Sequence, residues 1–280
     1  MEALAPPVPR YQRLPAVVRA QGQRRGTVGL LTGCVQSAFF SPVNAATARV
    51  LAAEGFDVVA PRRQGCCGAL SGHSGRLEEA RRFARELIDV FERAEVGTVV
   101  VNSAGCGSAM KGYGHLLGDD PAYAKRAERF SAMVRDVAEL IADVGPRAVR
   151  HPLEITVAYH DACHLSHAQG VRSQPRQLLG QIPGLELREV ANGDICCGSA
   201  GVYNLLQPGA AAELGDRKAQ HVLATGAELL VAANPGCTLQ VAAAVRRAGR
   251  RLAVAHTVEV LDVSIRGLPP ALLTDRAVPD

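Results

Sequence analysis

At 280 residues, 48% hydrophobic and 21% charged, the chain has the composition of a soluble globular protein large enough for one or two packed domains. Its net charge of +4, carried by scattered or paired arginines such as Arg24–Arg25, Arg62–Arg63 and Arg250–Arg251, describes a solvated surface rather than a nucleic-acid or lipid footprint. Aromatics at 4% with no tryptophan leave no stacking platform for single-stranded nucleic acid, and no stretch approaches the roughly 20 apolar residues of a transmembrane helix.

In chain order, residues 1–26 read as a Pro-rich leader whose acidic second residue and lack of an apolar run argue against a secretory signal. A cytoplasmic location follows, in which thiols stay reduced and clustered cysteines point to metal instead of disulfides. The pattern predicts a buried strand at Thr27–Leu31, a helix at Val43–Ala53 and a second strand at Asp57–Ala60. Arg76–Ala94 puts Leu77, Ala80, Phe83, Ala84, Leu87, Ile88 and Phe91 on one face of an amphipathic helix. Thr98–Val101 is a third strand, followed by helices at Gly107–Leu116 and Ala122–Val144. In the second half Ile155–Tyr159, Leu185–Val190 and Leu229–Ala232 are predicted strands, with helices at Pro208–Ala224 and Leu239–Ala248.

The halves repeat. Cys34, Cys66, Cys67 and Cys106 recur as Cys163, Cys196, Cys197 and Cys237 at offsets of 129 to 131 residues, which uses all eight cysteines. "TVVVNSAGC" at Thr98–Cys106 parallels "LLVAANPGC" at Leu229–Cys237, and "MVRDVAELI" at Met133–Ile141 parallels "HTVEVLDVS" at His256–Ser264 as a short amphipathic helix. The fold class is therefore α/β: two tandem pseudo-symmetric repeats, residues 27–150 and 151–280, each a small, mostly parallel sheet flanked by helices.

Each cysteine position falls just beyond a predicted strand, and loops after strand carboxyl ends gather at one edge of an open parallel sheet. Adjacent cysteines bridge each other only with strain, so "GCCGA" and "CCGSAG" are read as two ligands from one loop, joined by one from each of two others. Four thiolates per repeat suit an iron–sulfur cluster or a structural zinc. Zinc ribbons draw ligands as two C-x₂₋₄-C pairs, whereas a cluster of several irons takes ligands from neighbouring residues. Flanking glycines, among them Gly33, Gly68, Gly198 and Gly236, let backbone N–H groups approach an inorganic core. The cofactor expected at both sets of cysteines is thus an iron–sulfur cluster, of the 4Fe-4S class, with zinc or plain buried thiols as alternatives.

His160, His164 and His167 flank Cys163 and are read first as hydrogen-bonded residues ordering the loop, and second as cluster ligands or proton donors. Asp161 is placed to accept from His164 or to cap the next turn, and His73 and His115 read as surface residues. Lys111 and Tyr113 follow Cys106 at helical spacing and are read as packing or solvated residues. No P-loop, Ser–His–Asp set or G-x-G-x-x-G fingerprint stands in context, so no nucleotide or flavin site is inferred.

The doubled Cys…Cys-Cys-Gly…Cys pattern resembles the cysteine-rich (CCG) domains of heterodisulfide reductase subunits. "LLTGCVQ", "ATARVLAAEGFDVVAP", "NSAGCGSAMKGYGHLLGDDPAYAKRA", "CCGSAGVYNLLQP" and "ANPGC" are similar to the carboxyl-terminal half of the bacterial glycolate oxidase iron–sulfur subunit, over Val28 to Gly267. The resemblance implies an electron-transfer subunit fed by a separate flavin-containing dehydrogenase subunit, with peripheral membrane association through partners. Two departures stand out. The ferredoxin-like C-x₂-C-x₂-C-x₃-C-P segments of that family are not found before Cys34, so either a separate ferredoxin-like chain is an expected partner or the sequence is a fragment of a longer protein. The C-x-x-C that closes fuller CCG repeats is replaced at Ala109 and Gln240. A heterodisulfide-reductase-like thiol/disulfide module and a zinc-stabilised scaffold are the alternative functions.

Overall fold

A computed structural model of the chain describes residues 11–275; the first ten residues of the Pro-rich leader lie outside the described residues. The chain divides into two compact units, one running from Pro9 to Arg147 and the other from Ala148 onward, here called the first and second repeats.

The first repeat holds strands β1 (Val17–Val18), β2 (Gly26–Leu30), β3 (Phe56–Val59), β4 (Val99–Val101) and β5 (Val134–Asp136), in the order β1-β3-β2-β4-β5. All pairs are parallel except β1–β3, with Val28 opposite Val58 and Leu30 opposite Val100. The second repeat holds β6 (Ile155–His160), β7 (Leu185–Glu189), β8 (Leu229–Ala232) and β9 (Ala253–Ala255), in the order β7-β6-β8-β9 and wholly parallel. Apart from β1, the two sheets have one topology. Central strands such as Val99–Val101 and Leu229–Ala232 are apolar at every position because helices cover both faces.

The helix Leu77–Arg93 shows how the sequence builds this cover. Ala80, Ala84, Leu87, Ile88 and Phe91 recur at helical spacing and are buried, and they join Val99, Tyr113 and Phe130 in one core. Leu77, on the predicted face, is half exposed because it opens the helix before the core begins.

Three predicted helices differ from the structure. Ala122–Val144 is two helices, Ala124–Met133 and Val137–Val144, separated by β5. Val134 and Asp136 pair with Val99 and Val101 of β4, and Asp136 then caps the second helix. Its side chain accepts from Ala138 N at 2.8 Å while Glu139 reaches back to its backbone N–H at 3.0 Å. His256 and Glu259 form the same capping box after β9, a strand the sequence pattern did not predict. Gly107–Leu116 begins at Ala104 and breaks at Gly112, and Leu239–Ala248 begins at Pro235. Both start earlier because Ser103 and Asn234 stand in extended conformation as their first half-in residues, and Pro235 is at home in a first turn. Cys106 and Cys237 consequently lie inside the first helical turn rather than ahead of it.

Candidate metal centre

Three neighbouring strands deliver the cysteines of each repeat. In the first, β2 leads to Cys34, β3 to Cys66 and Cys67, and β4 to Cys106. In the second, β6, β7 and β8 lead to Cys163, to Cys196 and Cys197, and to Cys237. The connections leave β2 and β6 toward opposite sides, so the thiols collect at the switch point of each sheet, where the loops diverge and a ligand finds room.

The sulfurs meet. Cys34 Sγ lies 3.5 Å from Cys66 Sγ, Cys66 contacts Cys67, and Cys67 contacts Cys106. Cys163, Cys196, Cys197 and Cys237 form the same chain of contacts. Protonation alternates along it. Hydrogen bonds from Cys34 and then Cys67 hold the Cys66 thiol down at about 2, and the bond from Cys67 keeps Cys106 low. The same bonds and burial push Cys34 and Cys67 up. In the second repeat Cys196 is held at about 2 by Cys163 and then Cys197, and Cys237 is held low chiefly by Cys197. Within each knot the hydrogen bonds between the sulfurs thus favour the anionic form at one pair of cysteines and the protonated form at the other.

The glycine after each cysteine pair is required. Gly68 has φ +76° and Gly198 φ +89°, the left-handed region that favours glycine. A Cβ on Gly68 would stand 3.1 Å from Ala80 Cα, and one on Gly198 only 2.5 Å from the Ala211 carbonyl oxygen. The turn also aims the backbone N–H of Gly68 at Cys66 Sγ and that of Gly198 at Cys196 Sγ, each at 3.4 Å.

Neighbouring side chains fix the loops. Gln64 bridges the end of β2 to the loop after β3, donating to Leu30 O at 2.9 Å and accepting from Thr32 N at 2.8 Å. Tyr113, stacked on Phe130, donates to Cys67 O at 2.7 Å. Ser103 donates to Cys106 and Asn234 to Cys237 at 3.4 Å, so these two residues, rather than the two asparagines of the sequence parallel, are equivalent. Gln240, where a closing cysteine would stand, is buried and donates to Ala211 O at 2.8 Å. It fastens the helix that backs Gly198.

The remaining predicted residues fall in varied places. His160 ends β6 and is buried against Cys197 and Cys237, with one ligand atom from each of the three lying within 4.8 Å of the others. His164 Nδ1 is 3.7 Å from Cys163 Sγ, whereas His167 turns to Asp194 O and Arg172. Asp161 neither caps the turn nor meets His164; both its oxygens accept from Arg176, at 2.9 and 2.6 Å. Lys111 pairs with Glu139 at 2.6 Å, and His73 and His115 are exposed. Sequence reasoning missed Lys218, a lysine within a helix of ordinary composition. It is buried and donates to Asn192 O and Gly193 O at 2.9 and 3.0 Å, behind the loop carrying Cys196 and Cys197.

The donor set fits an iron–sulfur group. Four soft donors converge per repeat, with a backbone N–H on one sulfur and an imidazole beside the second set. Among the described residues no helix is long and apolar enough to cross a membrane.

Comparison with known proteins finds one domain type twice along the chain. The model of the CCG cysteine-rich domain matches residues 28–111 and again 157–242. The chain is 37% identical over 254 residues to the probable glycolate oxidase iron-sulfur subunit of Bacillus subtilis, spanning 89% of this chain and 57% of that relative's length. It is 31% identical to lactate utilization protein A of an Exiguobacterium species, over 85% of this chain and 98% of the relative. A crystal structure of a hypothetical protein from Helicobacter pylori superposes with a TM-score of 0.64 at 8% identity, over 91% of this chain and 52% of that one, a likeness of fold alone. With the pattern of cysteines, the repeated topology and these matches together, the chain belongs to the CCG cysteine-rich domain family and carries two copies of the domain.

Proposed function

We propose that the chain is an iron–sulfur electron-transfer subunit of a 2-hydroxy-acid oxidoreductase. The observation that carries this reading is the meeting of four cysteine sulfurs at the strand ends of each repeat. The relatives' names add the reaction class, since glycolate and lactate are both 2-hydroxy acids. Cys34, Cys66, Cys67 and Cys106 hold one group, and Cys163, Cys196, Cys197 and Cys237 the other. When bound, such a group supplies one-electron storage.

The chain's own residues bind and tune. The thiolates of Cys66 and Cys196 carry negative charge that the N–H groups of Gly68 and Gly198 partly offset, and Cys67, Cys197 and Cys237 keep water from one side of each knot by burial. Hydride abstraction from the hydroxy acid belongs to a separate flavin-containing subunit. Glycolate and lactate should not be oxidised by this polypeptide alone.

The test is anaerobic purification with iron, sulfide and zinc quantified, followed by electron paramagnetic resonance and by reduction with the flavin partner and either acid. Iron and sulfide in both repeats with a signal that appears on reduction support the reading; turnover by the isolated chain would overturn it. One observation favours a second reading, a zinc-stabilised scaffold. The 3.5 Å between Cys34 and Cys66 is close to the edge of about 3.8 Å expected for sulfurs tetrahedral around one zinc. Colourless protein with stoichiometric zinc would decide for it.

A further inference from the structure

The two centres are not chemically alike. His160 stands three residues before Cys163, where Leu31 stands three residues before Cys34. Both are buried, at 1% and 2% exposure, but leucine offers no donor and histidine offers two ring nitrogens. Among the described residues neither Nδ1 nor Nε2 of His160 has a partner of ordinary hydrogen-bond geometry, although the ring stands close enough to the Cys237 sulfur to help hold that thiol low. Buried polar atoms are nearly always satisfied, and an orphan of this kind calls for an absent ion or partner.

The second repeat itself supplies the contrast. His256 is buried too, yet its Nδ1 accepts from Val258 N at 3.1 Å and caps a helix. His160 has no such duty. Its backbone is paired with Ala232 in the sheet, which fixes where its ring projects, and a ring nitrogen lies within 4.8 Å of both Cys197 Sγ and Cys237 Sγ. His164 is a weaker candidate, being half-buried, with its Nδ1 3.7 Å from Cys163 Sγ.

We propose that His160 is a nitrogen ligand to the metal group of the second repeat. The chain then carries one centre held by sulfur alone and one held by sulfur and imidazole; this rests on the iron–sulfur reading above. A neutral imidazole adds a donor without adding negative charge.

The test is spin-echo spectroscopy on the whole chain, loaded anaerobically with iron and sulfide and reduced to its paramagnetic state. The expected result is a nitrogen coupling that changes pattern when histidine alone is ¹⁵N-labelled. It should vanish in His160→Ala and persist in both His164→Ala and Cys34→Ala, the last of which disables only the first centre. Where His160→Ala fails to fold, a ¹⁵N-histidine coupling that persists in His164→Ala still assigns the ligand to His160, and one that vanishes in His164→Ala overturns it. Iron- and sulfide-loaded protein without a histidine coupling, or a coupling that survives His160→Ala, would overturn the assignment and leave the iron–sulfur reading intact. Protein that takes up no iron would instead overturn the reading on which the assignment rests.

Discussion

Lys218 of the second repeat stands where Leu87 stands in the first: each lies seven residues beyond the alanine, Ala211 or Ala80, that packs on the glycine of its CCG turn. Leu87 is core, while the Lys218 ammonium donates to two carbonyls of the loop before Cys196. Burial pulls the Lys218 pKa down, and the Cys197 sulfur beside it works in the opposite direction. Lys218→Met removes both bonds and leaves Asn192 O and Gly193 O without that donor. The expected loss is about 1–3 kcal/mol in urea unfolding, with a more negative midpoint potential for the second centre alone. The reciprocal Leu87→Lys sets an ammonium in an apolar core and should cost about 3 kcal/mol or more.

Gly198→Ala should be more damaging than Gly68→Ala. Both force a side chain into the left-handed region, but the added Cβ meets a carbonyl oxygen at 2.5 Å in the second repeat and backbone at 3.1 Å in the first. Strain alone costs about 1–3 kcal/mol. Unfolding of the metal-free protein should rank wild type above Gly68→Ala above Gly198→Ala; equal values would show that the helix at Ala211 yields.

Asp136 carries a pH dependence. Burial, outweighing the bond from Ala138, raises its carboxyl from 3.8 to about 7. The folded state therefore holds a proton that the unfolded state gives up, and this contribution is full below about pH 4 and lost as pH rises through 7. Stability of the first repeat should fall over that window. Asp136→Asn keeps a good capping residue and should flatten the fall, as followed by urea unfolding at pH 5 and pH 8.

Tyr113→Phe keeps the stacking on Phe130 at 5.7 Å and deletes only the bond to Cys67 O. A loss of about 1–2 kcal/mol is expected in urea unfolding, together with slower uptake of iron by the first repeat. Unchanged stability would mean that water replaces the hydroxyl.

The parallel sheets and the convergence of the cysteines were legible because they rest on short-range signals, apolar runs such as Val99–Val101 and a spacing that repeats four positions at once. β5 was not. Val134–Asp136 is three residues between helix-forming segments, and only pairing with β4 makes it extended. β9, Ala-Val-Ala, is as short and has no better local signal. His160, Asp161 and Lys218 show the other limit. Each residue type was visible, but its partner lies far along the chain, so whether it met a sulfur, an arginine or a carbonyl depended on tertiary structure.

The two repeats also protect the same outer border of their sheets by different means. In the first, β1 lies antiparallel along β3, and Asp57 is tied down by Ala20 N at 2.9 Å and Arg24 at 2.9 Å. In the second, β7 is the terminal strand among the described residues and bears Glu186, Arg188 and Glu189. Charge on an edge strand discourages self-association, whereas an apolar edge invites it. Peeling Val17–Val18 away would thus bare the backbone edge at Val58 and Val59 as a template for strand exchange between molecules, a hazard the second repeat avoids through its own side chains.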